Sequence, residues 1–331
     1  MKLLARSLIP LCLVLASACS QKLPARYAAV PADADVVATL ELQPLLAFNQ
    51  ELIAQAVPAE LRDKIPTLEQ LGQQALQLAG IDLAKITRVT LIGYVESKDR
   101  MAIIVEGIGA AGLKGSKSAE RAGRAVYSLG GRMFYSELTD VGVAFAPSAE
   151  MLNHLIDAFA GQQKNLTDGD TGKMLRVLSR QEKELDQVRA YFVNGRLAAG
   201  NPQFSLKGAG VFIHLERGIC GLVLSDEASV SRMKQGLDLA MMAFQTSLAF
   251  GGAKDSPLNL NPKATQRLGE LLRQVSSRQE GERLLISFRG DLRPILREAA
   301  GYLVDAFRSS AAAPAAESEP SAPAAPKAPM P

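Results

Sequence analysis

The pattern that most constrains this chain occurs twice: an apolar strand, a capping side chain, then an amphipathic helix. Gly142–Ser148 leads into Ala149–Ala160, where Leu152, Leu155, Ile156 and Phe159 share one side. Gly221–Asp226 leads into Glu227–Phe250, with Val230, Met233, Leu237, Met241, Phe244 and Leu248 at helical spacing. Ser148, and Ser225 or Asp226, each offer an oxygen to a first-turn backbone N–H. A second strand precedes each unit, Gly131–Leu138 and Ala209–Glu216. Short links between consecutive strands favour hairpins over parallel crossovers. The expectation is an α+β fold of antiparallel sheets with helices packed on one face. It has two related halves, residues 32–165 and 166–308.

The remaining periodicity fits that class. Val36, Ala38, Leu40 and Leu42 alternate and predict a strand over Asp35–Leu42. Leu61, Ile65, Leu68, Leu71, Ala75 and Leu78 then form one helical apolar stripe, with Pro58 near its start and Gly80 at its end. Strands around Arg88–Val95 and Met101–Glu106 flank the polar turn Glu96–Asp99. Asn261-Pro262 opens a helix through Leu268, Leu271, Leu272 and Val275. Glu282–Arg289 alternates, with Leu284, Ile286 and Phe288 inward, and Asp291 caps a last helix running through Leu303 and Phe307.

The ends of the chain are of a different kind. Residues 1–18 place Lys2 and Arg6 before the apolar run Leu8–Leu15, an export signal too short to span a bilayer. Leu15-Ala16-Ser17-Ala18-Cys19 resembles the lipobox of bacterial lipoproteins, which implies cleavage before Cys19 and acylation of its thiol. Each buried CH₂ of an acyl chain contributes about 0.8 kcal/mol, so several chains hold a protein on a bilayer indefinitely. The resemblance implies a Gram-negative envelope. Ser20, standing where aspartate would retain the protein in the inner membrane, implies the outer membrane, periplasm-facing or at the cell surface. Ordinary cleavage at the same point would give a soluble periplasmic protein instead. Residues 19–31 read as a lipidated tether, and the Ala/Pro-rich residues 309–331 as a disordered tail.

Removing the signal lowers the formal charge from +3 to about +1, which gives no case for nucleic acid as a partner. Cys220 is then the one internal cysteine and has no disulfide partner; its apolar run suggests a buried thiol. The lead-in Val30-Pro31-Ala-Asp-Ala-Asp35 before the first strand, and the strand–Ser–x–Glu–helix unit at Phe145–Met151, resemble an uncharacterised family of exported bacterial lipoproteins. That resemblance implies no catalytic residue.

Four motifs invite chemistry, and each has a plainer reading. Gly107-Ile-Gly109-Ala-Ala-Gly112 matches the dinucleotide fingerprint, but a polar run replaces the following helix and the acidic residue about twenty positions on is missing. A flexible loop is the plainer reading. Ser231-Arg-Met-Lys234 matches S-x-x-K without companion motifs, so both residues read as surface. Asp168-Gly-Asp170-Thr-Gly172 misplaces the glycine of a calcium loop and has Ser179 where a bidentate glutamate belongs, so a polar turn is expected. His154 and His214 lack neighbours at zinc-ligand spacing. No catalytic residue, metal or cofactor is called for.

Two features point to binding. Leu237–Phe250 is apolar nearly all round, which predicts a helix covered on more than one side. Its plain reading is a central core helix. The sharper one is the wall of an acyl-ligand groove built from Leu237, Met241, Met242 and Phe244. The late arginines, mainly Arg283, Arg289 and Arg293, predict either a mixed-charge surface or a patch for phosphate or carboxylate. The functional expectation is a non-catalytic envelope lipoprotein that binds or scaffolds an envelope protein, lipid or peptidoglycan. The alternatives are a carrier or sensor of a hydrophobic ligand and, third, an envelope hydrolase.

Overall fold

The computed structural model describes residues 23–57, 59–62, 66–95, 100–179, 186–193, 206–250 and 269–301. The predicted signal, Cys19 and the tail lie outside them. Among the described residues, twelve strands form one antiparallel sheet in the order β11-β12-β10-β9-β8-β1-β2-β3-β7-β6-β5-β4. The strands are β1 (Val36–Glu41), β2 (Arg88–Gly93), β3 (Met101–Glu106), β4 (Ser116–Arg121), β5 (Arg124–Leu129), β6 (Met133–Leu138), β7 (Gly142–Ala146), β8 (Val188–Phe192), β9 (Leu206–His214), β10 (Gly218–Ser225), β11 (Val275–Glu280) and β12 (Arg283–Arg289). The α+β class and the antiparallel pairing are as expected. The two expected halves meet inside this sheet, because β1 pairs with β2 on one side and with β8 on the other.

Register assigns every strand residue to a face. On the front, Val37 stands beside Ile92 and Tyr191, and the row continues through Gly210, Leu222, Leu285 and Arg278. On the back, Ala38 stands beside Ala190, then Val211, Gly221, Ile286 and Ser277. The apolar stripe Val36, Ala38 and Leu40 lies on the back and is only half-buried, whereas Val37 and Thr39 on the front are fully buried. In β12 the inward-predicted Leu284, Ile286 and Phe288 also lie on the back.

The helices divide between the two faces, which corrects the expectation of one covered face. Helices α1 (Leu42–Ala56), α2 (Ala59–Arg62) and α3 (Leu68–Ala79) follow β1; α1 packs on β1 and β2, and Leu42 joins the back-face cluster of Val89, Ile103 and Val105. Helix α4 (Ala149–Phe159) covers the front, where Met151, Leu152, Leu155 and Ile156 meet Ile104, Ala144 and Leu138. Helix α5 (Gly169–Ser179) lies on the front of β9. The contact is close: a Cβ on Gly208 would sit 2.5 Å from the Met174 sulfur, so the methionine would have to shift. Helix α6 (Glu227–Phe250) packs on the back of β10, β12 and β11, with Ser277 donating to Asp238 at 2.9 Å. The last helix, α7, is described over residues 293–301.

The two strand–strand–helix units are therefore alike only locally. The Ser148 hydroxyl accepts from the Met151 N–H at 3.1 Å and caps α4; the Asp226 carboxylate accepts from the Ser229 N–H at 2.8 Å and caps α6. The capped helices nevertheless pack on opposite faces.

Three further corrections follow from packing. The expected tether is part of the core: Ala25–Ala29 form a 3₁₀ turn, and Tyr27, Ala29 and Val30 are fully buried. The expected continuous stripe from Leu61 to Leu78 is broken, because Thr67 starts α3 with a reciprocal capping box to Gln70. Val275 opens β11 instead of ending a helix, and only the helical turn 269–272 of that predicted helix lies among the described residues. Among the described residues no helix is long and apolar enough to cross a membrane.

Candidate functional site

A band of charged side chains crosses the front face where β1 ends and β2 begins, here called the lower end. Register puts Glu41 beside Arg88, and Arg88 beside Glu106. The Glu41 carboxylate accepts from Arg88 Nε at 2.8 Å and from Arg189 Nη1 at 2.7 Å. Arg88 Nη1 reaches Glu106 at 2.7 Å, and Arg26 stands 3.9 Å from the same carboxylate. Burial alone would raise the Glu41 carboxyl, but the hydrogen bonds from Arg88 and Arg189 outweigh it and hold its pKa below the ordinary value. Burial likewise opposes the charge on Arg88, and its two carboxylate partners raise its pKa above that of a free arginine.

The band continues into an open recess. A cavity of about 370 Å³ lies on the front of β10, β12 and β11, beyond the part of β10 where Leu222 and Leu224 are buried in the front core. Its walls include Arg217, Arg278, Arg289, Cys220, Ser276 and Ser287. The strand register delivers most of them: Cys220 faces Ser287, Ser287 faces Ser276, and Arg289 faces Gly218. The two serine hydroxyls are 2.9 Å apart. Glu280 binds Arg278. Among the described residues, no carboxylate lies within ion-pair distance of Arg217 or Arg289. The buried carboxylate of Asp186 also lines the recess, which offers two guanidiniums outside ion-pair distance of it and two hydroxyls, donors suited to a phosphate or carboxylate.

The expected anion patch is only partly assembled. Arg289 lines the recess. Arg283 lies on the same face but six residues away along β12, about 20 Å at strand spacing. Arg293 is bound by Asp291 at 2.7 Å and by Glu216 at 2.9 Å, so its charge is already compensated. Arg217 was not anticipated, and Arg278, another of the late arginines, also lines the recess. The available signal was the alternation of Ser276, Arg278 and Glu280 before the Gly281 turn, which marks a polar strand.

The expected groove residues lie on an outer helix. Leu237 and Met241 are half-buried against the sheet, while Leu239 is 62 % and Met242 57 % exposed. The Phe244 side chain lies outside the described residues. The core-helix reading fails here because, among the described residues, α6 is backed by the sheet on one side only. An apolar recess of about 440 Å³ occurs elsewhere, between α1, α3 and the 3₁₀ turn Leu83–Lys85, with Leu46, Ala47, Leu76 and Leu83 in its walls.

The other motifs resolve into structure. The segment after Gly107 makes a 3₁₀ turn at Ala110–Gly112 and then the edge strand β4, with no helix N-terminus for a pyrophosphate. Lys234 of the S-x-x-K motif is bound to Asp238. Asp168 accepts from the Asn165 N–H at 2.9 Å just before α5. Cys220 is half-buried and forms no disulfide. His214 is buried, and its Nδ1 accepts from the Glu216 N–H at 3.2 Å. His154 Nε2 lies 2.9 Å from Asp33, which also binds Arg100 at 3.2 Å. The hydrogen bond with His154 is the main reason the Asp33 pKa is lowered. Among the described residues, no serine hydrogen-bonds either histidine, and no group of three or more His, Cys, Asp or Glu could hold a metal ion.

No protein-family model matches the chain, and no curated protein sequence does. Among solved structures the chain is similar to crystal form I of TP0453. The TM-score is 0.39 at 13 % identity, over 86 % of this chain and 98 % of that one. Crystal form III of TP0453 gives a TM-score of 0.38 at 13 % identity, over 82 % and 97 %.

Proposed function

We propose that this chain is a non-catalytic lipoprotein of the Gram-negative envelope, held to the outer membrane by acylated Cys19. Its folded body binds an anionic envelope component at the open front of β10, β12 and β11. The observation that carries this reading is the recess in which, among the described residues, Arg217 and Arg289 have no carboxylate at ion-pair distance and lie beside the Ser276 and Ser287 hydroxyls. Charges placed this way are free to pair with a ligand. The ligand chemistry is a phosphate or a carboxylate. A lipid headgroup supplies the first and a peptidoglycan peptide the second.

Calorimetric titration of the mature chain with a phosphorylated glucosamine disaccharide, and separately with a muropeptide, distinguishes the two sources. One of them should bind. The double variant Arg217→Ser, Arg289→Ser should then weaken that binding by about tenfold or more, or about 1.4 kcal/mol, with an unchanged unfolding midpoint. Absence of binding to both ligands would remove the reading. The carrier alternative, centred on Leu237, Met241, Met242 and Phe244, has less support because α6 presents Leu239 and Met242 outward from a sheet-backed surface.

A further inference from the structure

Among the described residues, nothing covers the apolar stripe of α3. Leu71, Ala75 and Leu78 recur at the spacing of a core-facing helix side. Yet Leu71 is 42 % and Leu78 78 % exposed, and Leu76 beside them is 50 % exposed. The helix is well anchored otherwise. Thr67 and Gln70 close its first turn, and Gly80 ends it in the left-handed conformation. The Lys114 ammonium donates to the Gln77 carbonyl at 2.6 Å, and the Lys114 N–H to the Ala79 carbonyl at 3.0 Å. These contacts fix α3 beside the 3₁₀ turns Leu83–Lys85 and Ala110–Gly112, at the lower end of β2 and β3.

The chain enters the fold at that same end. Arg26 stands by Glu106, the last residue of β3, whose carbonyl accepts from the Thr87 N–H at 3.0 Å just before β2. Leu23 already packs against the front core. Only Ser20, Gln21 and Lys22 separate it from Cys19. Fully extended chain spans at most about 3.6 Å per residue, so Cys19 lies within about 14 Å of Leu23. A free tether of residues 19–31 would have let the body tumble away from the membrane. The observed packing of Tyr27, Ala29 and Val30 removes that slack.

We infer that α3 rests on the bilayer that holds Cys19, with Leu71 and Leu78 in the lipid interface. This rests on the acylation of Cys19 proposed above. The short leash brings the lower end of the fold to the lipid headgroups, and α3 is an uncovered apolar element among the described residues fixed at that end. Interfacial burial of one apolar helix side is the ordinary behaviour of such a segment.

The test uses the full acylated chain carrying Cys220→Ser, with a fluorophore on Leu78→Cys or on Met101→Cys. Met101 begins β3 at its opposite end and is 55 % exposed. Both are placed in vesicles of phosphatidylethanolamine and phosphatidylglycerol whose acyl chains are brominated near the headgroup. The label at position 78 should be quenched and blue-shifted, and the label at 101 unchanged. Adding Leu71→Ser should reduce the quenching at 78. Equal responses at both positions, on vesicle-bound protein, would overturn the docking and leave the acylation standing. A blue shift at 78 before vesicles are added would also overturn it, since a second copy of the chain would then cover the stripe. A chain whose intact mass shows no acyl group would remove the lipoprotein reading and the docking with it.

Discussion

Tyr27 stands edge-on to Tyr191, with ring centroids 6.0 Å apart and planes at 89°. One residue comes from the segment just after the predicted anchor, the other from the middle of β8. Tyr191 in turn meets Phe212 of β9 at 5.7 Å. The N-terminal segment therefore plugs the front core where β8 and β9 extend the sheet from β1, and it is part of the fold's stability.

Tyr27→Ala should cost about 3–5 kcal/mol, the range for deleting a large aromatic from a packed core. Urea unfolding followed by far-ultraviolet dichroism would measure it. A midpoint within error of the parent protein would show that the segment is a tether after all.

The glycines of the G-x-G-x-x-G motif should rank by backbone geometry and not by any role beside a pyrophosphate. Gly107 has φ +97°, and a Cβ there would lie 2.0 Å from the Lys85 carbonyl. Gly109 has φ −110°, and its nearest neighbour would be the Glu137 carboxylate at 3.9 Å. Gly107→Ala should destabilise the fold by about 1–3 kcal/mol. Gly109→Ala should fall within about 0.5 kcal/mol of the parent. Thermal unfolding of the two variants checks the order.

Local signals in the sequence carried further than long-range ones. Ser148, Asp226 and Asp291 each cap the helix expected of them, because a cap needs only the next three residues. The β9–β10 hairpin and β12 were legible from alternation. Which face each strand presents was not, since Val36, Ala38 and Leu40 alternate as cleanly as a buried set. The face was decided by α4, α5 and Tyr27 packing on Val37 and its row. The recess was foreseen only in part, as a patch of late arginines, for the same reason. Arg217, Arg278 and Arg289 are far apart in sequence and become neighbours only through the pairing of β10, β12 and β11. The polar β11 also lacks the apolar alternation by which strands are usually found.

The capping box of α3 should be worth about 1 kcal/mol to that helix alone. Thr67 accepts from the Gln70 N–H at 3.1 Å, and Gln70 returns a carbonyl to the Thr67 N–H at 2.8 Å. Helix α3 is held through the lower-end turns and lies outside the sheet. Thr67→Ala should therefore speed amide exchange in the first turn of α3 while leaving exchange in β1 and β2 unchanged. Faster exchange in the strands as well would mean that α3 unfolds together with the sheet.

Acid should loosen the fold through Glu41. Its carboxyl titrates lower in the folded protein than in the unfolded chain, because the arginine hydrogen bonds outweigh the burial that opposes them. A depressed carboxyl contributes stability that is present above its unfolded pKa, about 4.3, and lost as pH falls through the folded value. Asp33 is lowered in the same sense by His154, with Arg100 adding to it, so both groups act on the same acidic limb. Glu41→Gln removes the charge but leaves Arg88 and Arg189, the latter almost wholly buried, without their shared partner. At neutral pH that should cost about 3 kcal/mol, the lower end for breaking a buried ion pair. Below pH 4 the difference between parent and variant should shrink, since protonation has by then removed the same charge from the parent. Unfolding free energies from pH 3 to 7 would show the two curves converging on the acid side. Parallel curves would mean that Glu41 is not the group that titrates.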